Sequence, residues 1–262
     1  MTCLKTFLST KEIQKSFSLA ARQYDELSGF HQQFARSLTE ETHAFNPQAS
    51  QILDVGCGTG YLAAQAKHRH PHARVIGIDF SSGMIAQANK NYNDIHFILA
   101  DARQMPFADE SFDLVLSNFA FQWMPDLSEA LCEARRVLTV KGQMHATLFG
   151  EKTCEELFGS LEHAGFNVDH LNRFVSVSEV GEQLRKAEFS DIQVEEEIIK
   201  MPFKDLFQLL FWLKAIGANK LSPRTFIGLK TLQRANDYCL KNFSEQKNML
   251  ISFEIIKIQA FK

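Results

Sequence analysis

Short apolar runs alternate with amphipathic segments through the middle of this chain. Five runs have the length and composition of buried strands, at residues 52–55, 74–79, 96–101, 112–117 and 143–149. Between them, apolar residues recur at helical spacing in residues 60–68, 82–91 and 127–138. Strands that are apolar on both faces and are joined by helices are typical of a parallel sheet covered on both sides. The pattern therefore predicts an α/β fold.

Helical patterns flank this central region. Ser9 and Glu12 have the spacing of a capping box, and apolar residues follow at helical intervals from Ile13 to Leu27. A second helix is predicted at residues 30–45, ending before Pro47 because proline disfavours helix in the residue that precedes it. The last third of the chain contains predicted helices at residues 154–164, 178–186, 203–217 and 224–243, and predicted strands at 192–199 and 251–260.

Neither an internal repeat nor a low-complexity linker divides the chain, so we predict a single domain over residues 1–262. Residues 1–48 are expected to form helices that close over a cofactor, and residues 49–150 to form the cofactor-binding core. Residues 151–262 would supply a cap and the last strands. The expected architecture is Rossmann-like: a mostly parallel seven-stranded sheet with helices on both faces and a helical cap.

Composition agrees with a globular enzyme-sized domain. Of the 262 residues, 45% are apolar and 23% are charged, and nothing approaches the roughly 20 continuous apolar residues of a membrane span. The five cysteines are scattered and show no metal-ligand spacing, which favours reduced packing residues. We therefore expect a cytoplasmic protein without a membrane partner or a metal.

Charge is distributed unevenly. The net charge is −3, but residues 200–262 contain eleven Lys/Arg and only four Asp/Glu. A basic C-terminal part suggests an acidic partner. Ordinary solvated helix faces would explain the same composition.

A glycine-rich turn follows the first strand, from Asp54 to Gly60. Its three glycines permit backbone angles closed to other residues and let the main chain approach a ligand closely. The next helix begins there, and its N-terminus can face a carboxylate. The second strand ends in Asp79, where a carboxylate can accept both ribose hydroxyls of a nucleoside. Asp101 ends the third strand, so three successive strands end near an acidic residue.

A nicotinamide enzyme is the main alternative, because Asp79 would suit its ribose equally well. The turn lacks the glycine spacing that accommodates a dinucleotide pyrophosphate, which disfavours this alternative. Residues 54–60, an acidic residue followed by GxGxG, instead resemble motif I of the class I S-adenosylmethionine-dependent methyltransferases.

This resemblance implies that the turn holds the methionine part of S-adenosylmethionine and that Asp54 reaches its amino group through water. It also implies that Asp101 and Ala102 contact the adenine amino group and that Asn118 lies beside the methyl group. Met84, on the helix after Asp79, is expected to pack against the adenine face. The complete predicted cofactor set is Tyr24, Asp54, Gly56, Cys57, Gly58, Gly60, Asp79, Phe80, Met84, Asp101, Ala102 and Asn118.

A narrower resemblance rests on four segments: residues 17–24 (FSLAARQY), 117–123 (SNFAFQW), 172–174 (NRF) and 213–218 (LKAIGA). Together they resemble the malonyl-[acyl-carrier protein] O-methyltransferases of biotin synthesis. The implied reaction moves the methyl group of S-adenosylmethionine to the free carboxylate of a malonyl thioester and leaves S-adenosylhomocysteine. The implied partner is an acyl carrier protein.

The implied chemistry needs no general base, because a carboxylate is already ionised at neutral pH. Catalysis would rest on positioning by Tyr24 and Asn118 and on desolvation of the two opposite charges. Arg173 and Lys214 are the candidates for holding the substrate carboxylate, and Trp123 is a candidate wall of the acyl pocket. Ordinary surface charge is the alternative for both cations, and core packing is the alternative for both Tyr24 and Trp123.

Acyl carrier protein is acidic, so the basic residues of the last third have a candidate use. Its docking face is predicted to include Lys214, Lys220, Arg224, Lys230 and Arg234. We expect the protein to act as a monomer.

Three other functions are alternatives to methylation of a malonyl thioester. One is methylation of another small carboxylic acid without a carrier. Another is a cofactor-binding assembly factor or hydroxylase-like protein on the same fold, without methyl transfer. Nucleic-acid methylation is disfavoured, because no Asn-Pro-Pro-aromatic or Asp-Pro-Pro-aromatic segment follows the fourth strand.

Overall fold

The structure is a computed structural model that describes residues 9–124, 126–169, 171, 174–218 and 226–262. In this part of the chain the helices are α1 Thr10–Ala20, α2 Tyr24–Leu27, α3 Gly29–Phe45, α4 Tyr61–Arg69, α5 Ser82–Asn91, α6 Leu127–Val137, α7 Glu155–His163, α8 Val177–Lys186, α9 Leu206–Ala215 and α10 Leu229–Asn242. The strands are β1 Gln51–Val55, β2 Arg74–Asp79, β3 His96–Leu99, β4 Phe112–Asn118, β5 Leu138–Phe149, β6 Ser190–Phe203, β7 Ser244–Glu245 and β8 Asn248–Phe261.

One sheet contains all eight strands. Seven of them run across it in the order β3-β2-β1-β4-β5-β8-β6, and the two-residue strand β7 pairs with β8. The first five strands in that order are parallel, and β8 pairs antiparallel with both of its neighbours, β5 and β6. The mostly parallel sheet is confirmed, with β7 as an addition. The carboxyl ends of β1, β2 and β4 meet at one edge, which is where ligands bind in open α/β sheets.

Three apolar clusters cover the sheet. One lies under α6 and α8, and includes Leu53, Leu131 and Leu184. Another lies on the opposite face under α3 and α4, and includes Ile52, Leu62 and Leu116. The last cluster joins α7, α9 and α10 to β8 and to Phe119 and Phe149 at the strand ends, which makes these helices a cap beside the sheet edge that carries the glycine turn.

The N-terminal segment crosses this edge in two pieces. The helical pattern predicted from Ile13 to Leu27 forms two helices: α1 ends at Ala20 and α2 begins at Tyr24. Tertiary contacts explain the break, because they outweigh the helix propensity of the intervening residues. The amide of Gln14 donates to the Phe80 carbonyl (2.5 Å), and Thr59 Oγ1 donates to Asp25 Oδ1 (2.5 Å), so the two helices are anchored at different points.

Other differences from the predicted elements are shifts of element ends. Strand β3 stops at Leu99, so Asp101 and Ala102 lie in the following loop and not in the strand. Strand β6 extends to Phe203, well past the predicted end at residue 199, because it pairs with β8 over its whole length. None of the described helices is long and apolar enough to span a bilayer.

Candidate active site

The glycine turn between β1 and α4 forms the floor of the site. Gly56 and Gly58 have left-handed backbone angles (φ +73° and +53°), and Gly60 has φ +90°. A side chain on Gly56 would collide with the methyl group of Ala120, whereas Gly58 has nothing within 4 Å of its missing Cβ. The main chain at Gly58 is therefore open to a ligand, as predicted for a turn that approaches a cofactor closely.

Gly60 has a different use. A Cβ on Gly60 would lie 2.7 Å from Phe97 Cζ. Gly60 lines neither the cleft beside Asp79 nor the polar cavity beside Asp54. It caps the N-terminus of α4 and lets the turn lie against β3. Cys57 is buried beneath the turn, and its backbone N–H donates to the Ile78 carbonyl at 2.9 Å, which ties the turn to β2.

Asp79 closes the turn from the side of β2. Its Oδ2 accepts the Gly58 N–H at 3.0 Å, and its Oδ1 accepts the Ser81 N–H at 2.8 Å. Burial raises the pKa of this carboxyl to about 6, so it is ionised at neutral pH. Two backbone bonds leave its other lone pairs facing the cleft, where ribose hydroxyls can donate to them.

Asp54, at the end of β1, is fully buried, and neither carboxyl oxygen makes a hydrogen bond of normal geometry among the described residues. Burial raises its pKa to about 8; the backbone N–H of Ala63 acts in the opposite direction, and Asp79 adds a smaller rise. Asp54 lines a polar cavity that also includes Tyr24, His31 and Gln32. Buried oxygens without partners in a polar cavity fit the ammonium group of a methionine moiety, either directly or through water.

A cleft of about 740 Å³ continues from the turn along the ends of β2 and β3. Gly56, Gly58, Asp79, Phe80, Met84, Asp101, Ala102 and Asn118 all line it. Met84 is 2% exposed and lines the cleft, so its contact with an adenine ring stays a prediction. The structure thus brings together most of the predicted cofactor set.

Asp101 is less available than the sequence predicted. Arg103 makes a two-pronged ion pair with it, with Nη2 2.6 Å from Oδ2 and Nε 3.0 Å from Oδ1. This pair lowers the pKa of Asp101. Because its side chain is also 43% exposed, a contact with an adenine amino group would have to share the carboxylate with Arg103.

Asn118 is fixed at the end of β4. Its Nδ2 donates to the His31 carbonyl at 3.0 Å, and Thr147 Oγ1 donates to its Oδ1 at 2.6 Å. Both ends of the amide are occupied, so the side chain joins α3 to β5 and is held rigidly against the cleft. The next residue, Phe119, has a left-handed φ of 54°.

Tyr24 stands where the cavities meet, since it lines the cleft, the polar cavity and a third, aromatic cavity. Burial and the nearby Asp79 and Asp25 raise its pKa far above neutrality, so the phenol remains a proton donor. Trp123 lines both the cleft and the aromatic cavity, and packs edge-on against Phe17 with ring centroids 5.3 Å apart. This position is compatible with the predicted role of Trp123 as a wall of the acyl pocket.

The aromatic cavity has a volume of about 770 Å³ and lies under the cap. Aromatic rings dominate its described lining, which includes Phe119, Phe149, Phe158, Phe174, Trp212 and Phe253. Neither Lys nor Arg is present among those lining residues. Lys214 is exposed on α9, although its neighbour Leu213 lines the cavity. Arg173, the other predicted partner of the carboxylate, lies outside the described residues, next to the lining residue Phe174.

Sequence patterns missed His31, Phe149 and Trp212 as parts of the site. His31 lies at helical spacing from Phe34 and so reads as one more residue of a half-buried helix. Trp212 Nε1 donates to the Leu27 carbonyl at 3.0 Å, a contact across 185 residues that no local pattern encodes. Among the described residues, no three His, Cys, Asp or Glu side chains group as metal ligands.

Comparisons with known proteins agree with this geometry. A family profile described as a methyltransferase domain matches residues 53–146, which contain the turn and the strands that carry Asp79 and Asn118. A malonyl-[acyl-carrier protein] O-methyltransferase of Geobacter sulfurreducens is 32% identical over 249 residues, covering 91% of this chain and 92% of the relative. The chain belongs to this family.

A relative with the same name from Legionella pneumophila is 31% identical and covers 83% of this chain and 78% of its own length. The family resemblance therefore extends beyond the core to the N-terminal helices and the cap. Among solved structures, the YcgJ protein of Bacillus subtilis superposes with a TM-score of 0.62 at 19% identity, covering 88% of this chain and 98% of that protein. That likeness supports the fold alone.

Proposed function

We propose that this enzyme transfers the methyl group of S-adenosylmethionine to the free carboxylate of malonyl-[acyl-carrier protein]. The product would be the malonyl methyl ester from which pimeloyl synthesis for biotin starts. The observation that carries the proposal is the junction at Tyr24 and Trp123. There a cleft lined by the carboxylates of Asp79 and Asp101 shares its wall with an aromatic cavity under the cap.

The fit of the cofactor rests on groups that otherwise lack partners. The backbone at Gly58 is open, Asp54 has two buried oxygens without partners among the described residues, and Asp79 has free lone pairs. The Gly58 backbone would lie against the methionine part of S-adenosylmethionine. Asp54 would take its ammonium group, and Asp79 its ribose hydroxyls. When bound, this cofactor supplies a sulfonium methyl group, whose transfer breaks a carbon–sulfur bond, forms a carbon–oxygen bond and requires no proton transfer.

The chain's own contribution is position and exclusion of water. Tyr24 and the rigid Asn118 border the place where the methyl group would lie, and the aromatic cavity removes water from the carboxylate. Bringing opposite charges into an apolar cavity favours a reaction in which those charges neutralise one another. No general base is needed, because the substrate carboxylate is already ionised at neutral pH.

The malonyl carboxylate needs a cationic partner in a cavity whose described lining has neither Lys nor Arg. We propose Arg173 as its cation, because Phe174 beside it lines the aromatic cavity. Since Lys214 is exposed at the end of α9, we assign it to the carrier surface rather than to the interior.

Helix α10 offers part of that carrier surface. Lys230 and Arg234 are exposed and lie one turn apart on it. Reversing both charges should raise the Michaelis constant for malonyl-carrier protein by about tenfold at low salt and leave kcat nearly unchanged, because steering acts on encounter. Steady-state kinetics at two salt concentrations would measure this.

The matched control reverses Lys90 and Lys186, which are exposed on α5 and α8. If both double variants behave alike, α10 is not the carrier surface. The same design extends to Lys220 and Arg224, which lie outside the described residues.

The proposed function can be tested in a cell that requires biotin because it lacks this methylation step. Expression of this chain should restore growth without biotin, and the variant Asp79→Asn should not. A chain that binds the cofactor but neither restores growth nor forms S-adenosylhomocysteine would be the non-catalytic alternative. Turnover of free malonate as efficient as that of the carrier thioester would instead indicate an enzyme for small acids.

A further inference from the structure

His31 is a buried residue whose place in the site is fixed by its neighbours. It is the third residue of α3 and is 8% exposed. It lines both the polar cavity beneath the glycine turn and the aromatic cavity, so it lies between the two ligand compartments. Its ring centroid is 5.9 Å from that of Tyr24, and its carbonyl accepts the amide of Asn118.

The imidazole ring of His31 lacks the partner that a buried polar atom normally has. Its Nδ1 is buried and has no hydrogen-bond partner among the described residues. The rings of Phe119, Phe149 and Trp212 lie 5.1, 6.0 and 6.3 Å from it, centroid to centroid. Because buried polar side chains are almost always paired, an unpaired nitrogen on a ring that lines two cavities leaves this ring available to a ligand.

Among the described lining residues of the aromatic cavity, few others can donate a hydrogen bond to an anion. Thr153 Oγ1 already bonds to the Glu254 carbonyl at 3.2 Å, and the thiol of Cys154 is a weak donor. Trp212 Nε1 donates to the Leu27 carbonyl at 3.0 Å. Tyr24, Trp123 and His31 remain as donors, and of these Tyr24 and His31 are neighbours.

Burial lowers the pKa of His31 to about 4, so the ring is neutral at physiological pH and carries one N–H donor. A neutral donor can orient the carboxylate without neutralising its charge, so it can act beside the proposed cation Arg173 without adding a second positive charge. The other carboxylate oxygen then keeps its lone pairs available to attack the methyl group.

We propose that the imidazole N–H of His31 donates a hydrogen bond to the substrate carboxylate and holds the other oxygen toward the methyl group. This role rests on the proposed function. It makes His31 a residue that distinguishes a malonyl thioester from an acetyl thioester, which has no carboxylate.

The test uses His31→Phe, which keeps a ring in the aromatic cluster, and His31→Gln, which keeps an N–H donor. Binding of malonyl-carrier and acetyl-carrier protein is measured on enzyme saturated with S-adenosylhomocysteine, so that no reaction occurs. The wild type should prefer the malonyl form, and His31→Phe should reduce this preference about tenfold or more, as expected for loss of a hydrogen bond to a charge. His31→Gln should retain most of it. kcat/KM for malonyl-carrier protein should fall in parallel.

Three results would overturn the proposal. An unchanged malonyl preference in His31→Phe would mean that the ring only packs. An equal loss in both variants would mean that the donor is irrelevant. A loss of cofactor affinity as large as the loss of malonyl preference would assign His31 to the cofactor. Failure of the wild-type enzyme to methylate any malonyl thioester would refute the proposed function itself. That result is distinct from the three above, which concern His31 alone.

Discussion

Replacing Asp79 with asparagine should weaken binding of S-adenosylmethionine at least about a hundredfold. The carboxylate accepts the N–H groups of Gly58 and Ser81, and its remaining lone pairs face the cleft. An amide of the same size loses the charge and turns an NH₂ group toward one of these donors. Each of the two hydrogen bonds from the ribose hydroxyls to the charged Asp79 contributes about 1.5–3 kcal/mol. The loss of both accounts for this factor or more. Titration calorimetry would measure the affinity.

The matched control is Asp101→Asn. That carboxylate also lines the cleft, in the loop after β3, but it is half-exposed and already paired with Arg103. We expect its replacement to weaken cofactor binding less than about tenfold, because water screens an exposed pair. Equal losses in the two variants would contradict the assignment of Asp79 as the ribose-binding carboxylate. Thermal unfolding of each variant would check that the fold is retained.

Replacing Asp54 with asparagine should have opposite effects on stability and on cofactor binding. The pKa of Asp54 is raised to about 8 in the folded protein. Its stabilising effect is therefore complete only below its pKa in the unfolded chain and is lost as pH rises toward 8. At neutral pH this loss is at most about 4 kcal/mol, at about 1.4 kcal/mol per pH unit. The cofactor-free variant, which cannot ionise, should be more stable than the wild type by some part of this amount.

Urea unfolding without cofactor would test this, because the advantage of the variant should grow from about pH 5 to about pH 8 and then stay constant. Binding should show the opposite preference. The ammonium group of the cofactor favours the ionised carboxylate, so the wild type should release a proton on binding at neutral pH and the variant should not. Calorimetry in two buffers with different ionisation enthalpies counts that proton. The same release from both proteins would contradict an ammonium site at Asp54.

The sequence was sufficient for those parts of the fold that depend on local pattern. Period and length of the apolar runs predicted the order of strands and helices from β1 to β5, since each buried strand must be apolar on both faces. The glycines and the acidic residues after the strands predicted the cofactor cleft, because strand ends of a parallel sheet meet at one edge. The presence of Tyr24 at this edge was predicted from the family resemblance.

Features that depend on tertiary contacts were not predictable. The break before Tyr24 reflects anchors such as Asp25 to Thr59, which bring together residues far apart in sequence. The pairing of Asp101 with Arg103 depends on the loop that follows β3. The spacing of the glycines does not distinguish their roles. Gly60 is needed because the backbone there lies against Phe97, whereas Gly58 is open to a ligand. The aromatic cavity is assembled from residues on α1, α3, α7, α9 and β8.

The most direct test of the account is the intact mass of malonyl-carrier protein after incubation with purified enzyme and S-adenosylmethionine. The account predicts that the carrier gains the mass of one CH₂ group on its malonyl arm, with one S-adenosylhomocysteine formed per carrier. Acetyl-carrier protein should gain nothing. An unchanged malonyl-carrier mass, with enzyme that binds the cofactor, would contradict the account.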